Sequence, residues 1–333
     1  MTNRSPGETA RQIWLVTALK NLVQSLIRMR ISSSIRACAA SLLLGLSLTI
    51  NVRAAEPVFQ PSDVVALIGG EDMVALAESG QLEAQVIQQP GLAAIKVRAL
   101  AYEGDTVFEQ HRQLNFPTWE EQLQKIGATV VVVQFGQMEV LRPNSAGDEL
   151  FKSYESLLRK LAGTNRQCVI LSPTPFEKPA PPLPDLTARN LDLEQQLPKL
   201  HALADQLGAA FVDLYRTLPE GGAFTRDGIH LNGRGQQVVA REIVRQLGLK
   251  PVPSADPTLL ALLAEKNRLW FNYHRPQNWA FLHGDRTEQL FSRDYRDTSV
   301  RLLPRELEAY VPLIAAKEEE IIAHLRRINV EKN

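Results

Sequence analysis

The sequence predicts an α/β three-layer sandwich built on a five-stranded parallel sheet. Five short runs rich in β-branched and aliphatic residues follow one another along the chain. Most of them are continuously apolar rather than alternating, as strands covered on both faces are. Segments with apolar residues at helical spacing lie between these runs, which favours parallel pairing through right-handed crossovers. In sheets of this kind, ligands bind beyond the carboxyl ends of the strands.

Each strand and helix of the sandwich has its own local signal. The predicted strands are residues 63–69, 95–101, 129–136, 168–172 and 210–214. Thr118 and Glu121 form the Thr-x-x-Glu pattern of a capping box ahead of the first clear helix. Apolar residues recur at helical spacing in residues 153–161, 191–207 and 233–247. Together these elements assign the sandwich domain to residues 57–250.

Residues 251–333 form a predicted extension of different composition. A helix at residues 257–267 leads into an aromatic stretch at residues 270–279. A final amphipathic helix covers residues 304–328, and Pro312 is expected to kink or split it. Packing of the aromatic side chains onto the sandwich is favoured over a carbohydrate- or partner-binding surface. The extension is also the predicted contact for a second copy of the chain or for a protein partner.

The N-terminal segment has the pattern of a secretory signal peptide. Three arginines precede an apolar run at residues 37–50, and small residues follow up to Ala54. We predict a signal peptide at residues 1–54, cut near Ala54, with Met29 as an alternative start. The apolar run is short for a membrane span, and an uncleaved N-terminal anchor is the alternative. The folded part is therefore expected outside the cytoplasm, either periplasmic or secreted.

Composition excludes several classes of function. The chain has 333 residues, 44% hydrophobic and 22% charged, which is ordinary globular composition. Positive and negative side chains balance at 37 each, so no nucleic-acid partner is expected. The six histidines and two cysteines lack metal-ligand spacing, so no metal and no other cofactor is expected. Cys168, inside an apolar run, is predicted to be a buried packing residue.

The most chemically informative motif is an Asp-x-x-His pair, Asp227 and His230, on a glycine-containing turn ahead of a helix. An aspartate that holds one ring nitrogen of a histidine leaves the other free to take a proton from a nucleophile. The first three predicted strands end in loops with polar or glycine residues, at residues 69–72, 102–105 and 136–139.

With this order of strands and loops, residues 57–250 resemble the SGNH (GDSL-type) hydrolase family. The resemblance implies a flavodoxin-like sandwich that hydrolyses small-molecule or carbohydrate esters, as an esterase or deacetylase. It implies a Ser nucleophile after the first strand, activated by a late Asp-x-x-His. The Ser amide, a Gly amide after the second strand and an Asn side chain after the third then form the oxyanion hole. On this resemblance Asp227, His230 and Gly104 match the family pattern.

Two of the family motifs are altered in this chain. After the first strand stands Gly69-Gly70-Glu71-Asp72, with no Ser or Thr. Gly69 is assigned to the oxyanion or substrate site, together with Gly104, Gln137 and Met138. Aligned without a gap, Glu71 takes the nucleophile position, and with one residue inserted Asp72 does. After the third strand stands Gly136-Gln137-Met138-Glu139, in which Met138 replaces the oxyanion Asn. Gln137, next to it, can supply an amide instead.

These departures predict an impaired or inactive site. Losing one oxyanion donor typically costs about 3–4 kcal/mol of transition-state stabilisation. Losing the nucleophile removes the covalent route, and a carboxylate in its place repels a developing oxyanion. Two hypotheses follow from the sequence. One is an ester hydrolase in which His230 activates water, and the other is a non-catalytic protein that binds a saccharide, lipid or protein partner.

Overall fold

The five strands pair in a single parallel sheet. The computed structural model describes residues 57–142, 148–163, 165–218 and 221–330, and the predicted signal peptide at residues 1–54 lies outside them. The strands are β1 (Val64–Gly69), β2 (Lys96–Ala99), β3 (Val130–Gln134), β4 (Gln167–Leu171) and β5 (Ala210–Val212). Their order is β2-β1-β3-β4-β5, and every neighbouring pair is parallel. This is the flavodoxin-like order, so the predicted fold is confirmed.

Helices cover both faces of the sheet. Along β1, Val65 and Leu67 pack into one core and Ala66 and Ile68 into the other, as the two-residue period of a strand requires. The first face is covered by α1 (Glu71–Ser79), α2 (Gln81–Ile87) and α6 (Gly233–Gln246). The opposite face is covered by α3 (Trp119–Ile126), α4 (Asp148–Ala162) and α5 (Asn190–Leu207). The continuously apolar strands are therefore explained by burial on both sides.

The largest local difference from the sequence prediction lies directly after β1. We expected residues 69–72 to be a loop, but Glu71 and Asp72 are the first two residues of α1. Carboxylates are favoured in the first turn of a helix because the unpaired amides there carry partial positive charge. The site residues of this segment are thus held by a helix.

The extension consists of four helices, α7 (Pro257–His274), α8 (Trp279–Leu282), α9 (Leu302–Glu308) and α10 (Tyr310–Val330). The expected helix at residues 304–328 is split, but at Ala309 rather than at Pro312. Pro312 is the third residue of α10, where an amide has no intrahelical partner and proline is tolerated. No helix in the described part of the chain is long and apolar enough to cross a membrane.

The extension closes the open edge of the sheet at β2. The amide of Lys96 bonds to the chain entering β1, so by alternation the carbonyls of Val97 and Ala99 face the free edge. The Lys266 ammonium donates to the Val97 carbonyl at 3.3 Å, and the Trp270 indole donates to the Ala99 carbonyl at 2.8 Å. An exposed strand edge is prone to pairing with other chains. Here α7 supplies hydrogen-bond donors to two carbonyls of that edge.

A buried ion pair fixes α7 in that position. The Lys266 Nζ lies 2.6 and 2.7 Å from the two carboxylate oxygens of Glu83 on α2. Lys266 is 1% exposed and Glu83 5%. Burial lowers the pKa of Lys266, and the charge of Glu83 opposes that shift. All three ammonium donors have an acceptor, which is the condition under which a buried charge is tolerated.

Replacing Lys266 by Met should lower the free energy of unfolding by about 3–5 kcal/mol, because the Glu83 carboxylate is then buried without a counter-charge. Urea denaturation followed by circular dichroism measures this loss. The control is Arg159→Gln, which breaks an exposed pair with Glu155 on α4 and should change stability by about 0.5 kcal/mol or less. Adding Glu83→Leu to Lys266→Met should recover most of the loss. A Lys266→Met variant as stable as the wild type would contradict this account of the extension.

Candidate active site

The carboxyl ends of β1, β2 and β3 bring the altered motifs together. Glu71, Asp72 and Met138 line one small cleft, and Gln137 and Asp105, the neighbour of Gly104, line it with them. The cleft has a volume of about 20 Å³, which is room for about one water molecule. Residues that the sequence places in three separate loops therefore meet in one cleft.

The predicted histidine–aspartate pair is formed. Nδ1 of His230 lies 2.7 Å from Oδ2 of Asp227. The other carboxylate oxygen of Asp227 accepts the backbone amides of Ile229 at 3.1 Å and His230 at 2.8 Å. Burial acts to raise the pKa of Asp227, but these amides and the imidazole outweigh it and the pKa is lowered. The aspartate is thus ionised and orients the ring, which leaves Nε2 available as a base.

The turn that carries this pair depends on a glycine and on Glu177. Gly228 has φ +91°, and a Cβ there would lie 2.5 Å from the Glu177 carbonyl oxygen. The Glu177 carboxylate accepts the amides of Phe224 and Thr225 at 3.0 and 2.7 Å, and the Thr225 hydroxyl at 2.6 Å. Glu177 has no sequence signal that marks it, since it belongs to a proline-rich loop with no spacing pattern that relates it to the pair.

Glu71 occupies the donor that the resemblance assigns to the oxyanion. Its Oε1 accepts the Gly104 amide at 3.0 Å. Gly104 has φ +78°, a conformation that favours glycine and presents the amide to the cleft. The amide that would stabilise a developing oxyanion is therefore bound to a carboxylate of the chain itself.

Asp72 has a different environment from Glu71. It is 3% exposed, and its Oδ2 accepts the Thr174 hydroxyl at 2.7 Å and the Gln134 amide at 3.3 Å. Its Oδ1 is buried and has no hydrogen-bond partner. Burial raises the pKa of Asp72 to about 6; the Thr174 hydrogen bond acts against this and the charge of Glu71 acts with it. A buried carboxyl with one unpartnered oxygen is suited to carrying a proton.

No described contact joins the two carboxylates to the histidine. Among the residues that the structure describes, no hydrogen bond or ion pair connects His230 with Glu71 or Asp72, and the ion pair of the imidazole is with Asp227. His230 does act on the charge of Asp72, since it lowers the pKa of that carboxyl slightly. The base and the residues at the nucleophile position are thus neighbours without direct contact.

The residues after β3 do not replace the missing oxyanion donor. The Gln137 amide nitrogen donates to the carbonyl and the hydroxyl of Thr174, both at 2.9 Å. In this conformation the Gln137 amide therefore holds the loop, and its role as an oxyanion donor stays a prediction. Met138 lines the cleft with a thioether, which donates no hydrogen bond.

Two further residues have structural roles. Gly69, which we predicted at the oxyanion site, ends β1 with φ +150°, and a Cβ there would lie 2.3 Å from the Gln134 carbonyl oxygen. It is required for close packing of β1 against β3.

Glu139 is 1% exposed and accepts the amides of Val107 at 2.8 Å and Gly136 at 2.7 Å. Glu139 thus joins two loops, a role that its place at the end of the altered motif does not indicate.

The loop that carries Gly104 is also fixed from the side of the extension. Asp105 forms a two-point ion pair with Arg112 at 2.8 and 2.7 Å. The guanidinium groups of Arg112 and of Arg275, at the end of α7, lie 3.7 and 3.6 Å from the centre of the Tyr102 ring. Cation–π contacts of this kind stabilise the loop, so the extension contributes to the position of the Gly104 amide.

Comparison with known proteins identifies the family. Residues 54–238, more than half of the chain, match the model of the GDSL-like lipase/acylhydrolase family. The chain belongs to this family. A search of curated proteins finds no match. The fold is similar to an alpha/beta hydrolase from the metagenome of Lake Arreo, Spain, at 18% identity over 58% of this chain and 98% of that one, with a TM-score of 0.46. It is also similar to a catalytic mutant of an acetylxylan esterase from Geobacillus stearothermophilus, at 17% identity over 59% and 99% of the two chains, with a TM-score of 0.46.

This GDSL-family protein has the Asp–His pair of the family pattern but not its Ser and Asn. Asp227 and His230 make the contact that the family resemblance implies, whereas carboxylates stand where the Ser is expected and a thioether where the Asn is. Within the described ranges, no cluster of three or more His, Cys, Asp or Glu side chains has the arrangement of a metal site.

The raised pKa of Asp72 predicts a pH-dependent stability difference. Its pKa rises from 3.8 to about 6 on folding, so the native state binds more protons between these values and loses stability as the pH rises through them. The full effect is about 3 kcal/mol. Relative to the wild type, Asp72→Asn should therefore gain stability by up to that amount between pH 4 and pH 7. Chemical denaturation of both proteins across this range measures the difference, and a pH-independent difference would refute the assignment.

Proposed function

We propose that this GDSL-family protein has lost the acyl-enzyme route of ester hydrolysis and acts by binding rather than by turnover. The observation that carries the proposal is the hydrogen bond from the Gly104 amide to the Glu71 carboxylate. A negative group already occupies the donor on which a tetrahedral intermediate depends. It must be displaced before an oxyanion can form, and its charge opposes that oxyanion.

Three further features support the same proposal. The nucleophile position holds a carboxylate, which does not need His230 as a base. The Asn donor is replaced by Met138, and each missing donor costs about 3–4 kcal/mol in the transition state. The cleft that Glu71 and Asp72 line has room for about one water molecule, so an ester group does not fit inside it in this conformation.

A second candidate is supported by the intact Asp227–His230 contact of 2.7 Å. An oriented imidazole can deprotonate a water molecule, and that water can attack an ester without a covalent intermediate. This route would be much slower than the covalent route of the family, because two oxyanion donors are lost. The Gly104 amide is occupied, and Met138 replaces the Asn. In this water-activated route any turnover requires His230. Replacing His230 therefore separates the two candidates experimentally.

We further propose that the protein acts outside the cytoplasm. The support is the arginine-flanked apolar run at residues 37–50 followed by small residues up to Ala54. Ester-bearing saccharides or lipids are then the ligands that this family membership favours. N-terminal sequencing of the secreted protein would test the cleavage near Ala54.

Turnover of p-nitrophenyl acetate, butyrate and octanoate separates the two candidates. We expect the wild type and His230→Ala to hydrolyse each ester at the same rate, close to that of buffer. The reason is that His230 has no hydroxyl to activate and the Gly104 amide is occupied. A rate at least about tenfold lower in His230→Ala would instead establish the water-activated hydrolase.

The matched control restores the family residues. Glu71→Ser combined with Met138→Asn supplies a hydroxyl, frees the Gly104 amide and adds a side-chain donor. Turnover should rise at least about tenfold, and the further change His230→Ala should abolish the gain. A folded double variant that remains as slow as the wild type would show that these two positions do not explain the loss.

A further inference from the structure

A second and larger cavity lies between the sandwich and the extension. It is bounded by the free edge at β2, by α3 and by helices α7 to α10, and its volume is about 470 Å³. This is within the range of small-molecule sites, about 300–1,000 Å³. It shares no lining residue with the cleft at Glu71. We call it the tail cavity, and residues that define it are Phe116, Lys125, Trp270, Tyr273, Trp279 and Arg301.

The walls of the tail cavity are largely aromatic and aliphatic. Trp279 and Phe116 stack with their ring centres 4.3 Å apart, and Leu307 and Ile314 line the cavity from the extension. Walls of this kind bind the apolar body of a ligand, while a few polar groups fix its orientation.

The charge of the tail cavity is positive. Four cationic side chains line it against two carboxylates, Glu308 and Glu318. Glu318 is already paired with Arg98 and Lys96. The cationic residues are Lys96, Arg98, Lys125 and Arg301.

Lys125 is the cation best placed to meet a ligand. Its Nζ lies 4.9 Å from the centre of the Tyr273 ring. In the part of the chain that the structure describes, it forms no ion pair with a carboxylate. Its charge also acts on the histidines of the cavity: the pKa of His283 is lowered by burial and by the charges of Arg301 and Lys125. With its pKa lowered, His283 adds no positive charge of its own at neutral pH, so the positive charge of the cavity comes from its lysines and arginines.

Several buried polar atoms at the cavity have no partner. Gln122 is 6% exposed and lines the cavity; its amide nitrogen donates to the Pro117 carbonyl at 2.8 Å, but its Oε1 is buried without a donor. Nε of Arg301 and Nε2 of His274, on two further lining residues, are likewise buried and unpartnered. Unpaired buried polar atoms are uncommon in native proteins, and three around one cavity indicate a site for a polar ligand group.

We propose that the tail cavity binds a small amphipathic organic anion, with a carboxylate or similar acid group on an apolar body. The apolar walls take the body. The Lys125 ammonium and the positive charge of Arg301 attract the acid group. Gln122 Oε1 and Arg301 Nε are buried in this conformation, so each meets a polar ligand group only after its side chain turns toward the cavity. This site is separate from the GDSL cleft, so the inference stands whether or not ester turnover is lost.

Isothermal titration calorimetry with two acids tests the proposal. The full secreted chain is titrated with 2-naphthoate, which has a flat aromatic body, and with decanoate, which has a flexible chain. We expect at least one of them to bind with a Kd below about 1 mM, and the better acid identifies the type of body. The uncharged amide of that acid should bind at least about fivefold more weakly, because it lacks the charge that Lys125 and Arg301 recognise.

Matched variants locate the binding. Ala315 on α10 lines the tail cavity and is exposed, whereas its exposed neighbour Ala316 does not line it. Ala315→Phe should fill the cavity and weaken binding at least about tenfold, while Ala316→Phe should bind as the wild type does. Lys125→Met should weaken binding about threefold, and Lys152→Met, at an exposed lysine of α4, should not.

Three outcomes would overturn the proposal. The first is no binding of either acid by the wild type. The second is equal affinity for acid and amide, which would remove the role of charge. The third is unchanged affinity in Ala315→Phe, which would place the binding elsewhere.

Discussion

The proposed loss of ester hydrolysis depends on one hydrogen bond, from the Gly104 amide to the Glu71 carboxylate. The parallel sheet brings the ends of β1 and β2 together, so a residue opening α1 necessarily faces the loop after β2. In the GDSL family pattern that neighbour is a hydroxyl and the amide stabilises an oxyanion. We propose that a carboxylate in the same place occupies this amide, so that the Asp227–His230 pair keeps a base without a nucleophile to activate.

The extension holds both β2 and the loop that carries Gly104. Lys266 and Trp270 satisfy the free carbonyls of β2, and Arg275 stacks on Tyr102 beside the Gly104 loop. The edge strand β2, which ends five residues before Gly104, is thus held by helices that lie outside the region matched by the family model, residues 54–238. The tail cavity arises where these helices do not fill the space beside the same edge. Removing the extension would therefore disturb both sites.

Strand periodicity and residue order made the fold predictable. Val65 to Ile68 alternate between two buried faces, and a continuously apolar run indicates that arrangement directly. The Asp227–His230 contact was also predictable, because three residues of spacing on a glycine turn allow it. Other features depend on distant parts of the chain. Glu177 and Thr174 support the site from a loop without a motif, and the burial that shifts the pKa of Asp72 requires the packed structure. The helical start at Glu71 was missed because two glycines before it indicate a loop.

Covalent labelling with a fluorophosphonate tests the central claim most directly, because such reagents report an activated nucleophile together with its oxyanion hole. Intact-mass spectrometry of the wild type should show no adduct after prolonged exposure, since Glu71 supplies no hydroxyl and holds the Gly104 amide. Glu71→Ser should gain one adduct, and adding His230→Ala should remove it. A stoichiometric adduct on the wild type would mean that the chain has an activated nucleophile elsewhere in the cleft, and it would contradict the account.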